Sequence, residues 1–193
     1  MDQSTILDMP KVYGQLCSRS EEIGFTMPSD LYIGTLLKTL VASKPKGNFL
    51  ELGTGMSLSL SWMLEGMDEN SRIISIDNDP ELIQIAKEVF DGEKRLQLIC
   101  ADGDGWLAAY EEDKFDLIFA DAWPGKYSLL DQTLAMLKIG GFYVVDDMSK
   151  QPNWPEGHEV NAIQLIEALE KRKDFTITKM DWSTGVIVAV KIK

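Results

Sequence analysis

Phe49-Leu50-Glu51-Leu52-Gly53-Thr54-Gly55-Met56-Ser57-Leu58-Ser59 decides how this chain is read. An apolar run carries a single acid, Glu51, then breaks at Gly53-Thr54-Gly55 ahead of a helical pattern. The order implied is strand, tight turn, helix start. Glycines permit positive φ and let a ligand approach with no Cβ in the way. The helix N-terminus behind them presents unpaired N–H groups.

A second strand-like run, Arg72-Ile73-Ile74-Ser75-Ile76, ends on Asp77. Nucleotide-binding α/β folds grip ribose hydroxyls with an acid at this place, because a carboxylate accepts two hydrogen bonds. The interval from the glycines fits the roughly 20 residues seen in dinucleotide enzymes. Asp77 has a plainer use, capping the next helix. Asp79-Pro80-Glu81 fills that role better, with Asp as N-cap, Pro at N1 and an acid in the first turn.

Working outward, strands are expected at 48–53, 72–77, 95–100, 115–120, 140–146, 174–180 and 186–192. Helices are expected between them at 57–66, 80–90, 103–111, 126–137 and 158–172. That alternation predicts a parallel sheet covered on both faces. The last two strands are joined by Asp181-Trp182-Ser183-Thr184-Gly185, too short for a crossover helix, so they form an antiparallel hairpin. Residues 1–47 read as a helical cap, with helices at 4–22, broken near Pro10, and 29–43. The whole, 1–193, reads as one α/β domain: the cap and a Rossmann-like core over 48–193 with a mostly parallel seven-stranded sheet.

Charge and composition narrow the partners. The net charge is −12 and no basic cluster exceeds Lys171-Arg172-Lys173, which argues against nucleic acid. No apolar run approaches the roughly 20 residues of a membrane span. The first residues lack a secretion signal, so a cytoplasmic protein is expected, with Cys17 and Cys100 as buried thiols.

With Glu51-Leu52-Gly53 after the first strand, Asp77 after the second and a terminal hairpin, the chain resembles the class I methyltransferases, which bind S-adenosylmethionine (SAM). Within that class it is most similar to the small metal-dependent O-methyltransferases of the catechol and caffeoyl-coenzyme A types. Three further features carry the likeness: Phe119-Ala120-Asp121-Ala122-Trp123, Gly140-Gly141-Phe142-Tyr143-Val144-Val145-Asp146-Asp147, and the Met27-Pro28 loop. The resemblance implies a divalent ion (Mg²⁺, with Mn²⁺ or Ca²⁺ as alternatives) on Asp121, Asp146 and Asp147. Physical reasoning points the same way: neighbouring fourth and fifth strands would bring these acids together at the sheet's carboxyl edge, and uncompensated carboxylates repel. The alternative is that they only solvate that edge, or orient an acceptor without metal.

The resemblance also implies a cofactor pocket. Gly53 and Gly55 face the methionine part of SAM, Glu51 supports its amino group and Ser59 lies near its carboxylate. Asp77 takes the ribose, Asp102 contacts the adenine amino group, and Trp123 either lies against adenine or simply packs. Two departures stand out. Ser57 replaces a usual glycine, tightening the turn on the ligand side. Pro124 replaces the lysine that serves the catechol enzymes as general base, leaving Lys126 as a substitute or as a solvated lysine at a helix start.

His158, the only histidine, follows a loop rich in Pro and Trp and is the other candidate for handling the proton. The acceptor expected is a small molecule, planar or hydrophobic given Phe25, Met27, Trp123 and Trp154. The N-terminal helices suit either a cover over the site or a homodimer face. Three rivals remain: metal-independent transfer to an amine, carboxylate or protein side chain; an NAD-dependent oxidoreductase, disfavoured because Leu58 stands where the third glycine belongs; and a SAM-binding protein without catalysis.

Overall fold

The computed structural model describes residues 2–6 and 8–193. Seven strands form one sheet in the order β3-β2-β1-β4-β5-β7-β6. They are β1 (Asn48–Leu52), β2 (Arg72–Asp77), β3 (Leu96–Cys100), β4 (Phe115–Ala120), β5 (Leu137–Val145), β6 (Phe175–Met180) and β7 (Val186–Lys191). The first five run parallel, and β7 pairs antiparallel with both β5 and β6. The order reverses between β1 and β4, so a crevice opens outside their carboxyl ends.

Strand alternation assigns the two faces. Leu50, Leu52, Ile118, Ala120, Tyr143 and Val145 pack under α5 (Gly103–Ala109), α6 (Leu130–Ala135) and α7 (His158–Glu170). Phe49, Leu117, Phe119 and Val144 pack under α2 (Leu31–Ala42) and α3 (Leu58–Gly66). Glu51 shares the second face with Phe49, which sets its carboxylate beneath α3. A third cluster joins α1 (Tyr13–Glu22), α3 and α4 (Pro80–Val89) through Tyr13, Leu16, Trp62, Leu82 and Ile85. Asp79 caps α4 as its sequence predicts, accepting from the Glu81 N–H with Pro80 in the first turn. Asp30 caps α2 through the Tyr32 and Ile33 N–H groups.

Several boundaries move. The expected helix over 4–22 includes Leu7, which lies outside the described residues; helix begins at Tyr13, beyond Pro10, whose ring and missing N–H oppose a helix running through it. The expected helix at 126–137 contracts to Leu130–Ala135. Trp123-Pro124-Gly125-Lys126-Tyr127-Ser128 instead folds into a tight turn in which the Trp123 carbonyl accepts from the Tyr127 N–H (2.9 Å). The Tyr143 hydroxyl donates to the Gly125 carbonyl (2.6 Å), pinning that turn into the core. The fifth strand starts earlier than expected because Leu137 pairs with Phe115, and a bulge follows before Leu117 meets Phe142. Cys17 is only partly buried and Cys100 is exposed, contrary to the expectation of two buried thiols.

Ser57 also departs from expectation. It stands in the left-handed region (φ 63°) with its hydroxyl buried and unpartnered, packed into the core rather than facing the crevice. Left-handed backbone costs a non-glycine residue about 1–2 kcal/mol, and an orphaned hydroxyl adds to it. Ser57→Gly is therefore expected to stabilise the fold by about 1 kcal/mol, raising Tm by about 2–4 °C. A lower Tm in a thermal melt would show that Ser57 packing outweighs both penalties.

Candidate functional site

Main-chain bonds build the crevice. The Gly53 and Thr54 N–H groups both donate to the Ile76 carbonyl (2.9 and 3.2 Å), and the Asp121 N–H donates to the Leu52 carbonyl (3.0 Å). Gly53 has φ 97°, and a Cβ there would lie 2.9 Å from the Asp121 carbonyl oxygen, so only glycine lets the chain leave β1 this way. Asp77 accepts from the Gly55 N–H through one carboxylate oxygen (2.9 Å) and from the Asp79 N–H through the other (3.0 Å).

Three cavities meet along this edge. The largest, about 850 Å³, runs between the loop at 23–29 and the Gly53–Gly55 turn, with Ser59, Asp77, Asp121, Trp123 and Asp147 in its wall. A slot of about 240 Å³ continues past Asp77 and Trp123 to Ala101, Asp102 and Pro124. A third of about 350 Å³ lies beyond Met27 and Pro28 and holds Asp121, Asp146 and Asp147. Asp121 and Asp147 are the ionisable residues that border both the largest and the third. Trp123 and Met27 rim the opening, 52% and 67% exposed.

Most of the expected cofactor residues gather here, but in two layers. Gly53, Gly55, Ser59, Asp77 and Trp123 line the largest cavity, and Asp102 lines the slot while capping α5 through the Gly105 N–H (2.8 Å). Glu51 lies one layer beneath, fully buried. It accepts from the Ser59 hydroxyl (2.6 Å) and from the Ser75 hydroxyl, which in turn meets Thr54 Oγ1 (2.6 Å). Glu51 is therefore linked to the cavity wall through Ser59 and, by way of Ser75, through Thr54. Burial pushes the Glu51 carboxyl up to about 7, against the pull of the two serine donors.

The three acids expected to bind metal share one cavity. Among the described residues, no three His, Cys, Asp or Glu side chains are grouped to hold an ion. One Asp146 oxygen accepts from the Thr184 hydroxyl and the Asp147 N–H, and Ser29 donates to Asp121 (3.2 Å). A cation of the chain itself already faces them. The Lys126 ammonium, 5% exposed, donates to the Asp146 carbonyl (2.7 Å) and its charge favours ionisation of all three acids. Among the described residues each acid nevertheless keeps at least one carboxylate oxygen to which no protein group donates, and such oxygens are the ligands that a hard divalent ion takes. Burial, followed by repulsion from Asp146 and Asp147, holds the Asp121 carboxyl well above the usual range. Asp147 is raised by burial and stands at φ 54°, a strained left-handed geometry of the kind found at functional sites.

The two candidates for proton handling fall elsewhere. Lys126 is no solvated lysine at a helix start: the 123–128 turn buries it behind the acids, outside the walls of the three cavities. His158 opens α7 and is surrounded by Trp154, Tyr127 and Trp123, with ring centroids 4.6, 5.2 and 6.2 Å away. It stays outside those walls as well, although its charge is felt by Asp147.

Tyr127, Ser29 and Thr184 were not singled out in the sequence. The Tyr127 hydroxyl is buried without a partner, and burial with the Asp147 and Asp121 charges pushes it up to about 12. Its only sequence signal is adjacency to Lys126. Ser29 and Thr184 reach the acids from distant segments and carry no local signal.

Comparison with known proteins agrees with this geometry. Residues 20–192 match the O-methyltransferase family. The chain belongs to that family. A Mycobacterium ulcerans protein provisionally named an O-methyltransferase is 31% identical over 169 residues, covering 82% of this chain and 75% of that protein. The crystal structure of the O-methyltransferase TomG from Streptomyces achromogenes, solved with SAM, superposes with a TM-score of 0.86 at 18% identity, covering 98% of this chain and 93% of that one. A Bacillus cereus O-methyltransferase solved with SAH (the demethylated cofactor) gives 0.81 at 17%, covering 97% and 94%. At these identities the structural likeness is one of fold.

Glu51 supplies a test of the buried layer. A carboxyl raised from 4.5 to about 7 on folding contributes its full stability below pH 4.5 and loses it as pH rises through 7. The loss has an upper bound of about 3 kcal/mol. Denaturant unfolding at pH 5 and pH 8 is expected to show a larger fall in the wild type than in Glu51→Gln. Equal falls would mean that Glu51 ionises alike in both states.

Proposed function

We propose that the protein transfers a methyl group from SAM to a hydroxyl oxygen of a small molecule. The observation that carries this reading is the meeting of two cavities at Asp121 and Asp147, one sized for a cofactor and one for an acceptor. SAM lies along the Gly53–Gly55 turn with its ribose on Asp77 and its adenine in the slot beside Asp102 and Trp123. Its carboxylate is received near Ser59, whose orientation Glu51 fixes. The sulfonium then points toward the acids.

The acceptor hydroxyl, held in the third cavity, attacks the methyl carbon in line. The new C–O bond forms as the C–S bond breaks, and sulfur keeps the electron pair. Alignment of the two reactants supplies much of the acceleration. The hydroxyl proton passes to Asp121 or Asp147, the carboxylates bordering both cavities, and then to water. Lys126 acts from behind, holding the main chain at Asp146 and moderating the acids' repulsion. If Asp121, Asp146 and Asp147 hold the divalent ion that the resemblance implies, it would supply Lewis-acid activation of the acceptor hydroxyl at the same cavity wall.

Two measurements test the proposal. Asp77→Ala is expected to weaken SAM binding by about tenfold or more in calorimetry, the value of a charge-assisted hydrogen bond. Unchanged affinity would remove the ribose assignment. Asp121→Asn is expected to lower turnover about 10²–10⁴-fold on an acceptor found by screening hydroxylated compounds for mass-detected methylation. SAH affinity should hold, since the uncharged thioether has no sulfonium for Asp121 to face; intact turnover would move the proton's destination elsewhere.

A further inference from the structure

In the buried layer beneath the Gly53–Gly55 turn every hydroxyl proton already has a destination. A serine or threonine hydroxyl has one proton to donate, and an ionised carboxylate has none. Ser59 gives its proton to one Glu51 oxygen (2.6 Å), and Ser75 gives its proton to the other. Thr54 must then be the donor in its contact with Ser75 (2.6 Å). While Glu51 is ionised, Ser59 and Thr54 therefore turn only lone pairs toward the largest cavity, whose wall they share. All four side chains belong to residues at most 3% exposed, which leaves little room for water to stand in as a donor.

That polarity is wrong for a carboxylate. Lone pairs suit a ligand's ammonium and repel its carboxylate, and among the described residues no Lys, Arg or His lines this cavity to offset the repulsion. One proton on Glu51 reverses the arrangement. A protonated Oε1 donates to Ser59 Oγ, and the Ser59 hydroxyl is free to donate into the cavity. Ser75 keeps its bond to Oε2 and Thr54 its bond to Ser75, so a single proton turns a single hydroxyl. The surroundings of Glu51 favour its neutral form. Burial is the largest cause that lifts its carboxyl to about 7, and Asp77, at the end of β2, adds repulsion. The other elements around it bring no charge: α3 presents Ser59, β4 pairs Phe119 with it, and α2 adds Ile33, Leu37 and Val41 to the same face.

Resting on the methyl-transfer reading above, in which the amino-acid end of SAM lies at Ser59, we propose that Glu51 is a positioning residue that takes up a proton as the cofactor binds. The neutral acid turns the Ser59 hydroxyl outward to receive the cofactor's carboxylate; the ionised acid holds that hydroxyl back. Cofactor affinity is thereby coupled to pH through a residue that lines none of the cavities. The sign follows from the two forms. Binding selects neutral Glu51, so affinity is full at acid pH and declines as pH rises through about 7. SAH has the same amino-acid end and carries the same linkage.

Calorimetry of SAH with the full-length protein, repeated at one pH in buffers of different ionisation enthalpy, measures the protons exchanged. Uptake of about 0.5–1 proton per SAH is expected at pH 8, and SAH affinity is expected to fall about tenfold from pH 7 to pH 8.5. 5′-Methylthioadenosine, which keeps the adenosine but lacks the amino-acid end, is expected to bind without this uptake. In Glu51→Gln the amide NH₂ group donates to Ser59 at every pH. The uptake is then lost, the SAH profile flattens, and the variant binds SAH more tightly than the wild type at pH 8.5. A merely structural Glu51 would make the variant weaker at every pH. Should Glu51→Gln fail to fold, Ser59→Ala is expected to lose the uptake and weaken SAH while keeping its affinity for 5′-methylthioadenosine. Uptake that is absent in the wild type, equal for the two ligands, or retained in these variants would each overturn the inference. Failure of both SAM and SAH to bind would instead sink the methyl-transfer reading beneath it.

Discussion

The β1 strand end is held from both sides by main-chain hydrogen bonds, and the placement of every other group in the site depends on that. Ile76 of β2 receives two N–H groups of the Gly53-Thr54 turn, while Leu52 receives the Asp121 N–H from the end of β4. Gly53 passes so close to Asp121 that no side chain fits between them. Asp77, the glycine turn and Asp121 are therefore fixed by backbone geometry rather than by loop packing. Groups carried on strand ends are held more firmly than groups on loops, as transfer chemistry requires.

That rigidity concentrates negative charge in a poorly hydrated place. Glu51 is fully buried, Asp146 is almost so, and Asp121 and Asp147 lie beside them. Burying carboxylates is costly unless donors or cations meet them. Serine hydroxyls meet Glu51; Thr184, Ser29 and Lys126 meet the others only in part.

The sheet was legible in the sequence because buried parallel strands read as short apolar runs bounded by acids and glycines, as Phe115–Ala120 before Asp121 shows. Asp79-Pro80 marked the start of α4 by local chemistry alone, and the acids at strand ends could be named since topology brings strand ends together. What could not be read depended on contacts distant in sequence. Nothing local indicates that the Tyr143 hydroxyl will anchor Gly125, and that anchor turns an apparent helix start into a tight turn and buries Lys126. The convergence of the three acids on one cavity was legible from topology, but their partners Thr184, Ser29 and Lys126 arrive from three different segments and could not be read. Glu51 was visible as an acid in a strand, whereas its burial beneath Ser59 follows from the helix laid over it.

The division between fixed and variable parts has a consequence for specificity. The largest cavity has one wall on the ends of β1 and β2 and the turn between β1 and α3, tied by the sheet, and the other on the 23–29 loop. The third cavity is walled, apart from its three acids, by residues 26–29, residues 151–153 and Thr184 of the β6–β7 hairpin, segments held by a few side-chain bonds. Ser29 to Asp121, Ser183 to Asp30 and Asn153 to the Thr26 carbonyl are such bonds. Changes in these segments leave the strand ends and the cofactor turn in place, while altering which donors and acceptors face the acids. In this chain Ser29, Gln151, Asn153 and Thr184 of those segments already donate to protein oxygens, so which hydrogen-bonding groups the third cavity keeps free is set by contacts between segments distant in sequence.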